Sequence, residues 1–204
     1  MNSMLKVIIF DVGGVLYKKT YYGYYRQPFN HFSKQLKISK DAVRDAFLAS
    51  DDRAMTGREN AEKFIERVSK FLGKELVLSD FMKLLNDRTK NIDPRMLRLT
   101  KKLKRNYKVI VLSDDIKDAS KPMRKKLRKY YHQLYFSCDL GVRKPDKRIF
   151  RIVINKLHTK PEECLFIDDK PENVKSAKSV GIHAVQFKNY SKLLNDLKNH
   201  GGEI

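Results

Sequence analysis

Residues 7–14 are Val7-Ile8-Ile9-Phe10-Asp11-Val12-Gly13-Gly14, a β-branched run that ends in an aspartate and two glycines. Four consecutive apolar residues predict a strand that is buried on both faces, as in a parallel sheet. A carboxylate at a strand end, followed by glycines, can approach a phosphate closely because free backbone N–H groups surround it. The same pattern also occurs in ordinary turns, so it indicates a site only if other residues join it.

Similar apolar runs recur along the chain. They are Val109–Leu112, Leu165–Ile167, Ala184–Phe187 and a weaker run at Leu134–Ser137. The segments between them have apolar residues at helical spacing. These stripes are Met96/Leu99/Leu103, Ile149/Phe150/Val153/Ile154/Leu157 and Val174/Ala177/Val180. Alternating strands and helices predict an α/β fold with a doubly wound, Rossmann-like parallel sheet.

The segment from Tyr17 to about Ile92 breaks this alternation, because it contains helical stripes and no convincing strand. The stripes are Ala61/Phe64/Ile65/Val68/Phe71/Leu72, Phe29/Phe32/Leu36, and Leu84/Leu85 in a short helix that Ser79 could cap. We therefore predict an α/β core of residues 1–16 and 93–204, with a small all-helical cap of residues 17–92.

Open parallel sheets bind ligands beyond the carboxyl ends of their strands, so the residues that follow the other strands are further candidates. After the second predicted strand come Ser113, Asp114 and Asp115. The serine hydroxyl and the turn N–H groups could bind an anionic oxygen, although Ser-Asp is also a common helix cap.

Adjacent carboxylates at Asp168 and Asp169 follow the strand Leu165–Ile167. Two carboxylates at a buried strand end repel each other and are costly to desolvate unless a cation binds there. Hard oxygen ligands suit Mg²⁺. Pro171 fits the first position of the next helix, so the acidic loop leads directly into that helix.

Lys144 lies in Gly141-Val142-Arg143-Lys144-Pro145-Asp146, just before the helix that contains Ile149. A lysine near a helix N-terminus could hold a phosphoryl group with help from the helix dipole. Lysine and arginine are so frequent in this chain that Lys144 alone is weak support.

Order and placement together resemble the four motifs of the haloacid dehalogenase-like superfamily. The matching residues are Asp11-Val12-Gly13, Ser113, Gly141-x-x-Lys144-Pro145-Asp146 and Asp168-Asp169-x-x-x-Asn173. The helical insertion after the first motif matches the common cap position of the family. Thr56-Gly57-Arg58, followed by a long helix, looks like the pattern of members with smaller caps.

The resemblance implies a Mg²⁺-dependent phosphatase that acts on a small phosphorylated metabolite, with Asp11 as the nucleophile that forms an aspartyl-phosphate. It implies Mg²⁺ ligands at Asp11, the Gly13 carbonyl and Asp169, with Asp168 bound directly or through water, and Asn173 supporting this loop. Gly13, Gly14, Ser113, Asp114 and Lys144 would surround the substrate, with Ser113 and Lys144 holding the phosphoryl oxygens. Candidates near the entrance of the cap are Lys18, Lys19, Tyr21, Tyr22 and Arg53, but a tyrosine-rich hinge more often serves packing than recognition, so we do not count them as site residues.

Two positions depart from the family pattern. Phosphatases of the family usually carry an aspartate two residues after the nucleophile as general acid, but Gly13 cannot transfer a proton; this loss typically costs ~10²–10⁴ in rate. Some relatives with Gly or Asn there resemble sugar-phosphate phosphatases. The second departure is Asp114, where asparagine is common. Asp114 could replace the missing acid, but we expect it to cap the following helix instead.

Two rival functions remain open. A 2-haloacid dehalogenase also lacks the general acid, because halide leaves without a proton. A non-catalytic protein of this fold could bind nucleotide, RNA or a protein partner through its charge.

The composition is basic, with 44 Lys and Arg against 24 Asp and Glu and a net charge of +20. Denser basic runs lie at Lys101–Lys108 and Lys121–Lys129. They lack interleaved aromatic residues, so we favour a generally basic solvated surface over a nucleic-acid site. No run approaches the roughly 20 apolar residues that span a bilayer, which predicts a cytoplasmic protein without membrane contact. The pattern makes no prediction of oligomeric state.

Overall fold

The computed structural model describes residues 4–17 and 26–201. Its centre is a five-stranded parallel sheet in the order β3-β2-β1-β4-β5. The strands are β1 (Val7–Phe10), β2 (Lys108–Ser113), β3 (Gln133–Phe136), β4 (Cys164–Asp168) and β5 (His183–Gln186). This sheet, with helices on both faces, confirms the predicted Rossmann-like α/β fold.

The helices of the described residues fall into two groups along the chain. Between β1 and β2 lie α1 (Arg26–Leu36), α2 (Lys40–Met55), α3 (Ala61–Leu72), α4 (Leu78–Asn86), a 3₁₀ turn (Asp87–Asn91) and α5 (Pro94–Leu103). After β2 come α6 (Lys117–Leu127), α7 (Ser137–Leu140), α8 (Lys147–Leu157), a 3₁₀ turn (Pro161–Glu163), α9 (Pro171–Lys178) and α10 (Tyr190–Asn199). No helix in the described ranges combines the length and the apolarity that crossing a membrane requires.

Both faces of the sheet are covered, which explains why β1 is apolar at every position. Ile8 and Phe10 point into a cluster with α5, α6 and α10. Val7 and Ile9 point into the opposite cluster, with α8 and α9. Successive side chains of a strand point to opposite faces, so a strand in the middle of such a sheet must be apolar throughout.

A third apolar cluster joins α1, α2, α3 and α4. Phe47 lies at its centre, and its ring contacts those of Phe29, Phe64 and Phe81 at centroid distances of 5.5–5.9 Å. The two ends of the inserted segment meet, because Asp93 N donates to the Leu16 carbonyl oxygen at 2.8 Å. The described part of residues 26–91 is thus helical, but its apolar cluster also includes Ile116 and Ala119 at the start of α6, and the division into core and cap domains stays a prediction.

Two local predictions in this segment are wrong. Ser79 does not cap α4, because that helix begins one residue earlier, at Leu78, after Val77 in extended conformation. Phe71 is 61% exposed, although it belongs to the predicted stripe of α3. Its neighbour Leu72 packs against the helical cluster instead.

Candidate active site

The carboxyl ends of β1, β2 and β4 bring the predicted residues together. Phe10 pairs with Val111 of β2 on one side and with Ile167 of β4 on the other. Asp11 therefore follows the central strand, with its N–H donating to the Ile167 carbonyl oxygen at 2.9 Å. Ser113 and Asp168, the last residues of the flanking strands, lie at the same edge of the sheet.

Lys144 occupies the centre of this edge. Its Nζ donates to Asp11 Oδ1 at 2.7 Å, to Asp168 Oδ2 at 2.8 Å and to the Leu112 carbonyl oxygen at 3.2 Å. Burial alone would lower the pKa of Lys144, but the attraction of the Asp11 and Asp168 carboxylates is stronger and raises that pKa overall. A buried ammonium group thus stays charged beside two carboxylates.

Asp11 is 7% exposed, and its environment disfavours the charged carboxylate. Burial raises the pKa of Asp11 to about 7; Lys144 opposes this shift, whereas Asp168 and Asp169 add to it. One ammonium group therefore does not offset burial and two neighbouring carboxylates. An additional cation would keep Asp11 ionised at neutral pH.

Asp168 is held by protein groups on both of its oxygens. Oδ1 accepts from the Lys170 N–H at 2.9 Å and from Asn173 Nδ2 at 3.0 Å. Oδ2 accepts from Asn173 Nδ2 at 2.9 Å and from Lys144 Nζ at 2.8 Å. A carboxylate has about four acceptor positions, so Asp168 is fully engaged as an anchor for Lys144 and for the start of α9.

Asp169 is in a different situation. Its Oδ1 is buried and has no hydrogen-bond partner among the described residues. Burial raises the pKa of Asp169, and the neighbouring Asp168 carboxylate raises it further. Ligand oxygens of Asp11, Asp168 and Asp169 all lie within 4.8 Å of one another. A buried carboxylate oxygen without a donor, in a cluster of three carboxylates, fits a hard divalent cation such as Mg²⁺.

The two glycines after Asp11 differ in their surroundings. Gly14 has a φ of +72°, and a Cβ there would lie 2.1 Å from Asp169 Oδ2, so only glycine allows the Asp169 carboxylate this position. Gly13 lacks this restriction. A Cβ at Gly13 would lie 3.8 Å from Asp11 Oδ2, an ordinary van der Waals distance.

The loop after β2 corrects one prediction. Asp114 does not cap α6, because the helix begins only at Lys117, after Ile116. Asp114 Oδ1 instead accepts from the Lys144 N–H at 3.1 Å and so holds the lysine loop against the sheet. Ser113 is 4% exposed and also lines the cavity that contains Asp11.

That cavity measures about 340 Å³ and lies between the sheet edge and the helices of the inserted segment. The core contributes Asp11, Gly13, Gly14, Ser113, Asp114, Lys144, Asp169, Lys170 and Asn173. The inserted helices contribute Phe29, Leu48, Asp51 and Met55. The structure thus places every predicted site residue except Asp168 on the wall of one cavity, and Asp168 lies directly behind it, bonded to Lys144.

Two ion pairs in the cavity wall escaped the sequence analysis. Arg143 Nη1 lies 2.6 Å from Asp51 Oδ1, which joins the lysine loop to α2. Arg88 Nη2 lies 3.3 Å from Asp115 Oδ2, and both side chains are 3% exposed. Arg143 and Asp115 each adjoin a predicted site residue, but Asp51 and Arg88 lie in helical segments where no pattern distinguished them from surface charges.

Of the five candidates for the entrance, the structure describes one. Lys18, Lys19, Tyr21 and Tyr22 lie outside the described residues. Arg53 is described, and its Nε lies 3.5 Å from Glu59 Oε2. Its guanidinium thus serves an ion pair within the helical segment.

A family model described as haloacid dehalogenase-like hydrolase matches residues 5–181. The chain belongs to the haloacid dehalogenase-like hydrolases. The predicted membership and the predicted fold are confirmed, whereas the roles of the site residues stay a prediction. The chain is an enzyme of the hydrolase class.

Curated relatives of this hydrolase include phosphatases. D-ribitol-5-phosphate phosphatase of Bacteroides thetaiotaomicron is 26% identical over 91% of this chain and 93% of its own length. The phosphorylated carbohydrates phosphatase of Thermotoga maritima is 26% identical over 89% and 84%. Flavin mononucleotide hydrolase 1 of Arabidopsis thaliana is 40% identical, but the match covers 37% of this chain and 31% of the relative.

Solved structures of hydrolases share the fold of this chain. A HAD-like family hydrolase of Porphyromonas gingivalis has a TM-score of 0.77 and 26% identity, and the match covers 99% of this chain and all of the other. A HAD-family enzyme of Bacteroides thetaiotaomicron, in complex with magnesium and inorganic phosphate, has a TM-score of 0.75 and 24% identity over 93% of this chain and 98% of its own. An L-2-haloacid dehalogenase of Xanthobacter autotrophicus has a TM-score of 0.66 and 20% identity over 96% and 83%, and it shares the fold.

Proposed function

We propose that this hydrolase is a Mg²⁺-dependent phosphatase of a small phosphorylated metabolite, and that Asp11 accepts the phosphoryl group. The observation that carries the proposal is the arrangement of Asp11, Asp169 and Lys144 around one cavity at the sheet edge. Relatives that cover nearly the whole chain are named as phosphatases of ribitol 5-phosphate and of phosphorylated carbohydrates, which supports a sugar-like substrate.

The donor set fits Mg²⁺. Asp169 supplies a buried oxygen without a hydrogen-bond partner among the described residues, and Asp11 supplies a second carboxylate. The Gly13 carbonyl would complete the protein ligands. Asp168 would act chiefly through its bonds to Lys144 and Asn173, since both of its oxygens are engaged. The ion would offset the repulsion between carboxylate and phosphate and stabilise charge in the transition state.

The protein groups account for the main steps. An oxygen of ionised Asp11 attacks phosphorus, the bond from phosphorus to the ester oxygen breaks, and an aspartyl-phosphate forms while the leaving oxygen takes a proton from solvent water. Lys144 and Ser113 hold the phosphoryl oxygens as negative charge shifts onto them. Water then attacks the phosphorus of the aspartyl-phosphate and gives a proton to the solvent, which releases phosphate and regenerates the Asp11 carboxylate.

We also propose that the helical segment 17–92 acts as the cap. Phe29, Leu48 and Met55 line the same cavity as the carboxylates, and they would contact the part of a substrate that leaves. The Arg143–Asp51 ion pair joins this segment to the loop that carries Lys144. A bound substrate would thereby contact both the helical segment and the α/β core, and water would be excluded from the cavity.

The direct test is hydrolysis of 4-nitrophenyl phosphate, sugar phosphates, sugar alcohol phosphates and nucleotides. Each compound is assayed with about 5 mM Mg²⁺ and, separately, with EDTA. We expect turnover that requires Mg²⁺. If no phosphate ester is hydrolysed by folded protein, the proposal fails. A 2-haloacid that releases halide without added metal would then identify a dehalogenase.

Adding an acid at position 13 should increase the rate. Because an added Cβ at Gly13 would make only an ordinary contact with Asp11, we expect Gly13→Asp to fold and to place a carboxyl group beside Asp11. A positioned acid typically contributes ~10²–10⁴, and we expect a gain in kcat of about tenfold or more for alkyl phosphates. The gain for 4-nitrophenyl phosphate should be much smaller, because nitrophenolate leaves without a proton.

Gly13→Asn is the matched control, because its side chain has nearly the same shape and cannot act as the acid. A rate increase in the aspartate variant alone assigns the effect to proton transfer. Equal rates of the two variants on alkyl phosphates would show that the enzyme obtains its leaving-group proton by another route.

Mg²⁺ should stabilise the folded protein in a pH-dependent way. At tenfold the Kd, binding contributes about 1.4 kcal/mol, or about 3–6 °C in Tm for a chain of this size. Since the pKa of Asp11 is raised to about 7 and the ion needs the carboxylate, protons compete with Mg²⁺ below pH 7. The shift measured by differential scanning fluorimetry at fixed Mg²⁺ should therefore shrink from pH 8 to pH 6.

Asp169→Asn should abolish this thermal shift, whereas Asp114→Asn should keep it. Both positions line the cavity, but only Asp169 belongs to the carboxylate cluster. A shift that persists in Asp169→Asn, or that grows towards pH 6, would contradict the proposed ligand set.

A further inference from the structure

The fold joins the two basic runs of the sequence into one surface. Lys101 lies in the last turn of α5, and Lys129 follows the end of α6. Their ammonium groups approach the same ring: Lys101 Nζ is 5.6 Å and Lys129 Nζ is 5.2 Å from the centroid of Tyr130. The ends of the two helices are therefore neighbours, although the runs are about twenty residues apart in sequence.

We define the α5–α6 basic surface by its members: Lys101, Lys102, Lys104, Arg105, Lys125, Lys126, Arg128 and Lys129. All are exposed except Lys104, which is half-buried. None of them forms an ion pair with an acidic side chain of the described residues; the nearby pairs Lys121–Asp118 and Arg124–Asp139 involve other cations. Within the part of the chain that the structure describes, no acidic side chain compensates these eight charges.

The charge is concentrated as well as uncompensated. Residues 98–132 contain thirteen Lys and Arg and three Asp, so this sixth of the chain carries +10, half of the total net charge of +20. The three aspartates are Asp114 and Asp115, which line the catalytic cavity, and Asp118, which pairs with Lys121. The remainder of the segment has no acidic residue to weaken its field.

The surface lies at the end of the sheet opposite to the active site. α5 ends at Leu103 and leads into the first residue of β2, and α6 ends at Leu127 and leads into the first residue of β3. The cavity with Asp11 lies at the other, carboxyl end of the strands. A ligand on the basic surface would leave the cavity open.

The chemistry of this surface suits a phosphate backbone better than a membrane. Membrane-surface helices insert an apolar face, but the apolar residues of α5 and α6, such as Leu99, Leu103 and Leu127, are buried in the core. Within the described chain, the exposed large apolar residues are Met4, Leu48, Phe71 and Val77, none of which lies on α5 or α6. Lysine and arginine in rows neutralise successive phosphates of a polynucleotide and release its counterions.

We propose that the α5–α6 basic surface binds nucleic acid through its phosphates, without reading sequence. This is a second binding site, separate from the catalytic cavity. Its Lys and Arg side chains would contact backbone phosphates, so the affinity would depend on salt concentration and hardly on base composition.

The experiment compares fluorescence anisotropy of a labelled single-stranded RNA and of a DNA duplex over a range of salt concentrations. The test variant replaces Lys101, Lys102, Lys125 and Lys129 by glutamine. The control variant replaces Lys34, Lys40, Lys63 and Lys70, which are equally exposed lysines of α1, α2 and α3. Both variants lose four positive charges, so the overall field is reduced equally.

We expect wild-type protein to bind both polymers and the test variant to bind at least about tenfold more weakly. The slope of log K against log salt should flatten by about one unit for each lost phosphate contact, while the control stays close to wild type. Changing only Lys101 and Lys102, or only Lys125 and Lys129, should give intermediate losses. Circular dichroism checks the fold. The rate of hydrolysis by the test variant should remain within about twofold of wild type, because a tenfold change would require about 1.4 kcal/mol at a site that the substitutions do not touch.

Three outcomes would overturn the proposal. Equal losses in the test and control variants would assign binding to the net charge alone. Absence of binding near 0.1 M salt would remove the site. If the test variant no longer binds phosphatidylserine vesicles but still binds both polynucleotides, the surface binds membranes instead. None of these outcomes bears on the phosphatase, whose own test is turnover.

Discussion

Asp11→Asn is expected to lower phosphatase turnover by at least about 10⁴-fold. The amide has the shape of the carboxylate but cannot attack phosphorus, and it is a weaker ligand for Mg²⁺. Lys144 keeps its bonds to Asp168 and to the Leu112 carbonyl in this variant, so the pocket should remain assembled. The measurement is kcat/KM with 4-nitrophenyl phosphate and with the best metabolite, in the presence of Mg²⁺.

Asp114→Asn is the matched control for this loss. It removes one carboxylate from the same cavity, yet the amide oxygen can still accept from the Lys144 N–H as Asp114 does at 3.1 Å. We expect it to retain activity within about tenfold, since it removes no group from the proposed chemistry. Near-normal turnover of Asp11→Asn would show that another group attacks phosphorus, and equal losses in both variants would point to a general effect of cavity charge.

Lys144→Met should have the largest effect on stability. Lys144 is 4% exposed and its ammonium binds carboxylates of both Asp11 and Asp168. Removing one partner of a buried ionic group typically costs 3–5 kcal/mol, because uncompensated charge remains, and we expect a loss of about that size at pH 8. Methionine fills most of the same volume, so the loss reports charge rather than a cavity. Urea unfolding with and without Mg²⁺ measures it.

The loss should depend on pH. Without the ammonium, the pKa of Asp11 in the folded state would rise further above its ordinary value of 3.8, so the folded protein holds a proton that the unfolded chain releases. Stability of the variant must then fall as pH increases through this range. The difference from wild type should be larger at pH 8 than at pH 5.5, and Mg²⁺ should restore part of it.

Lys170→Met is the control for charge removal next to the site. Lys170 lines the cavity, but its ammonium forms no ion pair with the described residues. We expect its effect to stay within about 0.5 kcal/mol, as for ordinary surface substitutions. A Lys144→Met protein as stable as this control would mean that the buried carboxylates are already neutral without the ammonium.

Much of the fold was predictable from local pattern. The strands Val7–Phe10 and Cys164–Asp168 contain continuous apolar runs, because both faces of the sheet are covered and each side chain is buried. The site was predictable for a related reason. Parallel strands all end at one edge, so polar residues after several strands must meet there whatever the loops do.

Details within the same motifs were not predictable. Sequence alone could not distinguish Asp168, whose oxygens are both bonded, from Asp169, whose Oδ1 has no donor among the described residues. Nor could it place Asp114 against the Lys144 loop rather than at the start of α6. In each case the outcome depends on hydrogen bonds formed between segments that are far apart in the chain.

The sequence by itself thus determined the sheet, the order of its helices and the residues at its carboxyl edge. These features depend on residues that are close together in the chain, so the local spacing of apolar and polar residues predicts them. The tertiary structure decided which charges meet: Arg143 with Asp51, Arg88 with Asp115, and the basic ends of α5 and α6 around Tyr130. Such pairings arise only when packing of the apolar clusters brings distant surfaces together, because charged residues have no periodicity that encodes their partners.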